Sequence, residues 1–421
     1  MNILFATLVD VNSLSECGIY QDLMREIAML GHKIYIVSPA ERRYNKATAF
    51  TPDDMGGVLK VRVGNIQKTG KLEKGISTLL LENQYVSAVK KHFRDVKFDL
   101  VIYSTPPITL EKLIKFVKAR DGAISYLLLK DIFPQNAADL GILSEDGIAY
   151  RFFRNKEKRL YGMSDHIGCM SLANVRYLLS HNPQIDESKV HVCPNSITPM
   201  RKATKTVADE AYSDKVSKES CKNRAEIRTQ YGIPQNSKLF VYGGNLGQPQ
   251  CTPFIAECLR QNQDKTDRYF LICGEGTQAG VLEAYIRDDR PGNVKLLELL
   301  PKDTYDELLS ACDIGLIFLD HRFTIPNFPS RLLSYMEREL PVFSCTDKNT
   351  DIGEIITENG FGWWCESDNP NNFTKIADEI CNMEKEDLVK MGVSAHRYLE
   401  NNYKASTAAK TILQAASLLT K

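Results

Sequence analysis

Neither sign of charge is in excess in this 421-residue sequence: Lys plus Arg and Asp plus Glu both number 53. No global field recruits nucleic acid, so electrostatic targeting has to be local. Long apolar runs are missing as well. No stretch approaches the ~20 residues that span a bilayer. Residues 1–6 are a short apolar run with no basic leader or cleavage site, so the expectation is a soluble chain unless something docks it to a surface. The eleven cysteines include no C-x-x-C pair and no repeated metal-ligand spacing. An odd set scattered from Cys17 to Cys381 reads as reduced thiols of a cytosolic protein rather than as a disulfide frame or a zinc site. The first β-α loop, residues 7–17, is long and polar and carries no G-x-G-x-x-G, which argues against a nicotinamide cofactor.

What is present is alternation. The chain exceeds what one core usually organises, so two domains are expected. Residues 3–6, a helix over 19–30 closing at Gly31, and residues 34–37 form one β-α-β unit. Further strands are expected at 59–63, 100–103, 123–129, 166–170 and 189–192. Residues 198–222 are rich in Lys, Ser, Thr, Asp and Glu and read as a linker of disordered character. Strands then resume at 238–242, 269–273, 294–297, 314–318, 342–344 and 362–364. The fold class is α/β with two Rossmann-like domains facing each other across a cleft. The expected boundaries are 1–196, a linker over 197–223, 224–395, and a last helix over 396–421.

In such sheets ligands gather beyond the strand C-termini, so the loops there carry the functional reading. Residues 243–247 and 273–277 are glycine-bearing loops after strands, suited to close backbone approach by a ligand. In the stretch 323–342, Pro329 and Ser330 signal a helix start, and its first amides together with Arg331 suit an anion, although the stretch alone reads equally as an ordinary capped helix and only its place in the whole chain favours the anion. Asp131 follows a strand and is placed where a substrate hydroxyl could approach, although an aspartate in a loop more often caps or turns the chain. Wound as a helix, residues 148–161 put Arg151, Arg154 and Lys158 on one side, with Phe152 beside them. That surface fits either an anionic membrane or a core helix with a solvated basic face.

Taken in order, Gly18, residues 30–32, Asp131 with Pro134, Ser164-Asp165, Pro194-Asn195, Gly244-Asn245-Leu246-Gly247, Gly274-Glu275-Gly276, Asp313, residues 329–336 and Pro341-Val342 resemble the retaining glycosyltransferases of family 4. The resemblance covers nearly the whole chain and looks closest to the bacterial branch that builds capsules and O-antigens, some of whose members transfer N-acetylfucosamine. It implies a GT-B fold with a nucleotide-sugar donor, UDP-linked, in the second domain and a polyprenyl-diphosphate-linked glycan acceptor in the first, at the inner face of the cytoplasmic membrane. By position, Gly244, Asn245, Gly247, Gly274, Glu275, Phe328, Pro329, Ser330, Arg331 and Ser334 would bind the donor. Asp131 would be catalytic, and Gly18 and Asn195 would lie on the acceptor side. It also implies that the last helix crosses back to the first domain, and that no cofactor or metal is required.

The sequence departs from the family pattern in three places. Pro326 and Ser334 stand where many members carry a spaced pair of glutamates. Asn245 and residues 248–252 replace an arginine and a lysine, so the diphosphate would lean harder on Arg331, helped by Arg322 or Lys348. Glu339 replaces a helix-ending glycine, and a different helix ending is expected. Two other functions share this architecture: a nucleotide-sugar epimerase, for which no acid-base constellation stands out, and an inactive binding subunit of a polysaccharide assembly, which the lost glutamates would suit.

Overall fold

The computed structural model describes residues 1–66, 69–199 and 223–418. Most of the linker expected at 197–223 lies outside the described residues. Strands form where short apolar runs are bounded by polar turns. The first sheet contains β1 (Asn2–Ala6), β2 (Lys33–Glu41), β3 (Ala49–Asp53), β4 (Gly56–Val63), β5 (Leu100–Ser104), β6 (Ile124–Leu129), β7 (His166–Cys169) and β8 (Val190–Val192). Their order is β3-β4-β2-β1-β5-β6-β7-β8. All pairs are parallel except β3 with β4. The second sheet contains β9 (Lys238–Gly243), β10 (Arg268–Cys273), β11 (Val294–Leu297), β12 (Ile314–Phe318), β13 (Val342–Thr346) and β14 (Gly362–Glu366), all parallel, in the order β11-β10-β9-β12-β13-β14. Central strands such as β5 and β12 are buried along their whole length, as expected where helices cover both faces of a parallel sheet.

Sequence order reverses between β9 and β12 in the second sheet. Loops leaving such a point diverge to opposite faces and open a crevice at the strand C-termini. Gly243 pairs with Cys273, so the loops after β9 and β10 leave the sheet side by side. Several motif residues are absorbed by the scaffold. Asp313 binds Arg224 at 2.6 Å, the buried Arg228 at 2.7 Å and the Leu239 amide at 2.8 Å, which pins the start of the second domain to its sheet. Asp165 does the same in the first sheet, through Lys118 at 2.6 Å and the Ser125 amide at 2.9 Å.

Three features differ from expectation. The antiparallel edge strand β3 is not among the expected strands, because it has no apolar alternation and contains Pro52; an edge position tolerates both. The boundary expected at 396 falls inside the helix Lys385–Asn402, whose Ala395 and Leu399 belong to the second domain's core. The helix that packs on the first domain is Ala405–Leu418, with Ala408, Ala409 and Ile412 against Leu23, Met24 and Ile27. Finally, the helix Arg331–Glu337 ends left-handed at Glu339, φ 56°. Leu340 N–H donates to the Tyr335 carbonyl at 2.9 Å and Glu339 N–H to the Met336 carbonyl at 3.2 Å, the double bond of a Schellman ending. The glutamate takes the conformation a glycine would have taken.

Candidate functional site

A cavity of about 420 Å³ lies between the two sheets' C-terminal edges. Lys130, Asp131, Asn136 and Leu140 line it from the first domain, and Gly243, Gly244, Pro249, Gln250, Leu319, Phe323, Asn327, Phe328, Pro329, Ser330 and Arg331 from the second. The fold thus brings Asp131, Gly244 and the 328–331 segment to one space. Asn245, Gly247, Gly274, Glu275, Ser334, Gly18 and Asn195 are outside its lining.

Arg331 dominates the second-domain wall. Its guanidinium lies over the Tyr242 ring, 4.2 Å from the centroid, and its Nη1 is buried without a partner. A buried unpaired guanidinium nitrogen costs free energy until an acceptor arrives. Gly244, at φ 132°, leaves room for it: a Cβ there would lie 3.1 Å from Arg331 Nη2. The helix behind Arg331 has only seven residues, so the site's positive charge resides on the side chain more than on the helix end.

The neighbouring glycines carry a packing constraint. A Cβ on Gly274 would collide with the Gly244 carbonyl, and one on Gly276 with the Leu246 backbone. They allow two loops to interlock. Asn245 donates to Gln250 Oε1 at 2.9 Å, as does the Gly247 amide at 3.1 Å, and Glu275 is exposed beyond that contact. Ser334 is half-buried one turn along the helix from Ser330. Arg322 is not a spare cation, because Asp320 accepts from its Nε at 2.9 Å and its Nη2 at 2.7 Å. Lys348 is exposed and outside the cavity lining.

On the first-domain wall, Asn136 Nδ2 donates to both Asp131 carboxylate oxygens, at 2.8 and 2.9 Å. Burial pushes the Asp131 carboxyl up to about 6, against the opposing pull of those hydrogen bonds. Lys130 donates to the Cys193 carbonyl at 3.0 Å, and burial lowers its ammonium to about 8. Sequence reasoning missed Lys130, Asn136 and Tyr242; a lysine or tyrosine at a strand end carries no signal of what it will face.

The domains are clasped around this space. Asn195 Nδ2 donates to Ser330 Oγ at 2.6 Å, Asn174 Nδ2 to the Pro326 carbonyl at 2.7 Å, and Gln248 Nε2 to the Leu140 carbonyl at 2.6 Å. Asp139 accepts from Thr324 N–H at 2.7 Å and from its hydroxyl at 2.8 Å. Behind these bonds Ile132 and Leu140 bury against Leu319, Phe323 and Ile325. Gly18 precedes the helix Ile19–Met29 in an extended conformation, and Ile19 packs against the second domain's core.

The basic helix is Ile148–Met163, and its bases do not share one fate. Arg154 turns inward, donating to Glu157 at 2.7 Å, Asn182 Oδ1 at 2.8 Å and the His181 carbonyl at 2.9 Å, which corrects its expected place on an outer face. Arg151, Phe152 and Lys158 are exposed. Among the described residues no helix is long and apolar enough to cross a membrane.

Residues 223–398 match the family model described as glycosyl transferases group 1. The match spans nearly the whole second domain and none of the first. Across both domains, the probable glycosyltransferase WbjE of Pseudomonas aeruginosa is 23% identical over 342 residues, 80% of this chain and 78% of its own length. Sucrose-phosphate synthase of Thermosynechococcus elongatus superposes with TM-score 0.73 at 11% identity, covering 99% of each chain. The Anabaena protein Alr3699/HepE, solved with UDP-glucose, superposes with TM-score 0.67 at 14% identity, again over 99% of each. The chain has the GT-B fold, and the domain that matches the group 1 model supplies the cavity wall that carries Arg331.

Proposed function

We propose that the chain is a retaining glycosyltransferase that moves a sugar, an N-acetylated amino sugar by resemblance, from a UDP-linked donor to a polyprenyl-diphosphate-linked glycan. The observation that carries the donor site is Arg331, which lines the cavity beside the open backbone of Gly244 and whose Nη1 is buried and unpaired. The group 1 match supports glycosyl transfer, and the Anabaena neighbour bound to UDP-glucose supports a uridine diphosphate donor. In this reading the bond between the anomeric carbon and the β-phosphate oxygen breaks while the acceptor oxygen bonds to that carbon on the same face. The acceptor proton passes to the departing phosphate oxygen, and UDP leaves. Arg331 stabilises the charge that grows on the diphosphate, and no metal or cofactor enters. Asp131, ionised above about pH 6, accepts a hydrogen bond from the acceptor hydroxyl and orients it. The exposed strip of Arg151, Phe152 and Lys158 is the proposed contact with anionic lipid.

Calorimetry with UDP and GDP, without added metal, tests the donor site. Charge-assisted hydrogen bonds contribute ~1.5–3 kcal/mol, so Arg331→Ala is expected to weaken UDP binding about 10- to 100-fold with the thermal midpoint nearly unchanged. Unchanged affinity would remove Arg331 from the site. Failure of the wild-type chain to bind either nucleotide would favour a binding subunit over a transferase.

A further inference from the structure

A nucleoside diphosphate leaving group carries more negative charge than one guanidinium neutralises, yet the loops beside Arg331 bring no second cation to the cavity. Asn245 is turned to Gln250, Gln248 to the first domain's Leu140, and Arg322 is held by Asp320. The second cation lining this cavity comes from the opposite wall, where Lys130 leaves the end of β6.

Lys130 is fixed at both ends. Its backbone N–H donates to Thr105 Oγ1 at 3.0 Å, and its ammonium donates to the Cys193 carbonyl at 3.0 Å, which uses one of three hydrogens. Among the described residues no carboxylate lies within ion-pair distance of it. Its neighbour Asp131 is occupied by Asn136 instead. A half-buried ammonium without a counter-charge is a cost of folding that an anion in the cavity would repay, and its lowered proton affinity has the same origin.

We propose that Lys130 is a donor-binding residue, the second cation of the diphosphate site, contributed by the first domain to a ligand otherwise held by the second. This rests on the donor reading above. It explains how the chain dispenses with cations at Asn245 and at residues 248–252. It also means that the leaving group touches both domains.

The test is calorimetry of the full chain, as wild type, Lys130→Gln and Lys130→Arg, with UDP and UMP, alongside steady-state transfer kinetics. Lys130→Gln is expected to weaken UDP at least about tenfold and UMP no more than about twofold, because the lost partner is the terminal phosphate. Lys130→Arg, which keeps the charge, should recover most of the UDP affinity. Wild-type UDP affinity in Lys130→Gln overturns the proposal, including the case in which only the KM for the lipid-linked acceptor rises, which would assign the ammonium to the acceptor phosphate. Lack of UDP and GDP binding by the wild-type chain overturns the donor reading and the role of Lys130 with it. A UDP loss in Lys130→Gln that Lys130→Arg does not repair, together with a lowered thermal midpoint, makes Lys130 a structural residue and also overturns the proposal.

Discussion

Asp131 and Asp347 are moved in the same direction by folding, each chiefly because burial disfavours the charged carboxylate. Asp131 is pushed up to about 6, and the fully buried Asp347, whose Oδ2 has no partner, to about 7. A carboxyl raised above its unfolded value contributes stability that is complete below about pH 4 and is lost as pH rises through the folded value. Asp347→Asn is therefore expected to gain thermal stability relative to wild type as pH rises from about 4 to about 7. Melting curves at both ends of that window check it, and a constant difference would show that Asp347 does not titrate there. At Asp131 the readout is catalytic. The wild-type kcat/KM should fall below about pH 6, and in Asp131→Asn that limb should vanish while turnover drops about 100-fold. Wild-type turnover in the variant would discard its acceptor role. Arg331 was singled out in the sequence less by its helix start, which an ordinary capped helix would equally explain, than by the two glycine-bearing loops at the same sheet edge; the structure places it in the cavity wall. Lys130, directly before the aspartate singled out, was not legible, because only the folded cavity shows that its ammonium lacks a carboxylate.

At the scale of elements, the parallel strands were the most legible feature, since each is a short apolar run buried on both faces. What periodicity cannot supply is partnership. In the helix Ile148–Met163 it assigned the faces of Arg151, Arg154 and Lys158 from angles alone, and could not see that Asn182 and the His181 carbonyl would capture Arg154. Membrane contact is accordingly expected to depend on Arg151 and Lys158. Their joint replacement by Gln should reduce sedimentation with anionic vesicles several-fold, at about 1 kcal/mol per basic residue near the surface. Equal sedimentation would make this an ordinary solvated helix. The Schellman ending after Arg331–Glu337 gives a sharper test. A non-glycine residue in the left-handed region is disfavoured by ~1–2 kcal/mol, part of which glycine forfeits through unfolded-chain entropy. Glu339→Gly should raise unfolding free energy by up to about 1 kcal/mol. A loss on denaturant titration would show that the Glu339 side chain outweighs its backbone strain. Gly392 packs directly on this turn, where a Cβ would strike the Glu339 carbonyl.

In the whole molecule, the chain passes between the domains at two described places that lie side by side. Ile197 N–H donates to the Tyr403 carbonyl at 3.0 Å, and Ala405 N–H to the Ile197 carbonyl at 2.8 Å. The two crossings are thereby bonded to each other on one side of the cleft. The opposing clasp is the apolar cluster around Phe323, which is 2% exposed. Phe323→Ala removes ~3 kcal/mol or more of packing and should enlarge the radius of gyration in small-angle scattering while each sheet stays folded. An unchanged radius would show that the hydrogen bonds alone hold the domains together. The short helix Gln135–Asp139 joins this clasp to the chemistry, because Asn136 near its start supports Asp131 and Asp139 at its end grips Thr324. Because the short helix that braces the Asp131 carboxylate is the one whose last residue grips Thr324, a ligand that rearranged the carboxylate would be felt at the interdomain seam, so occupancy of the proposed site and the hold between the domains become two readings of one element.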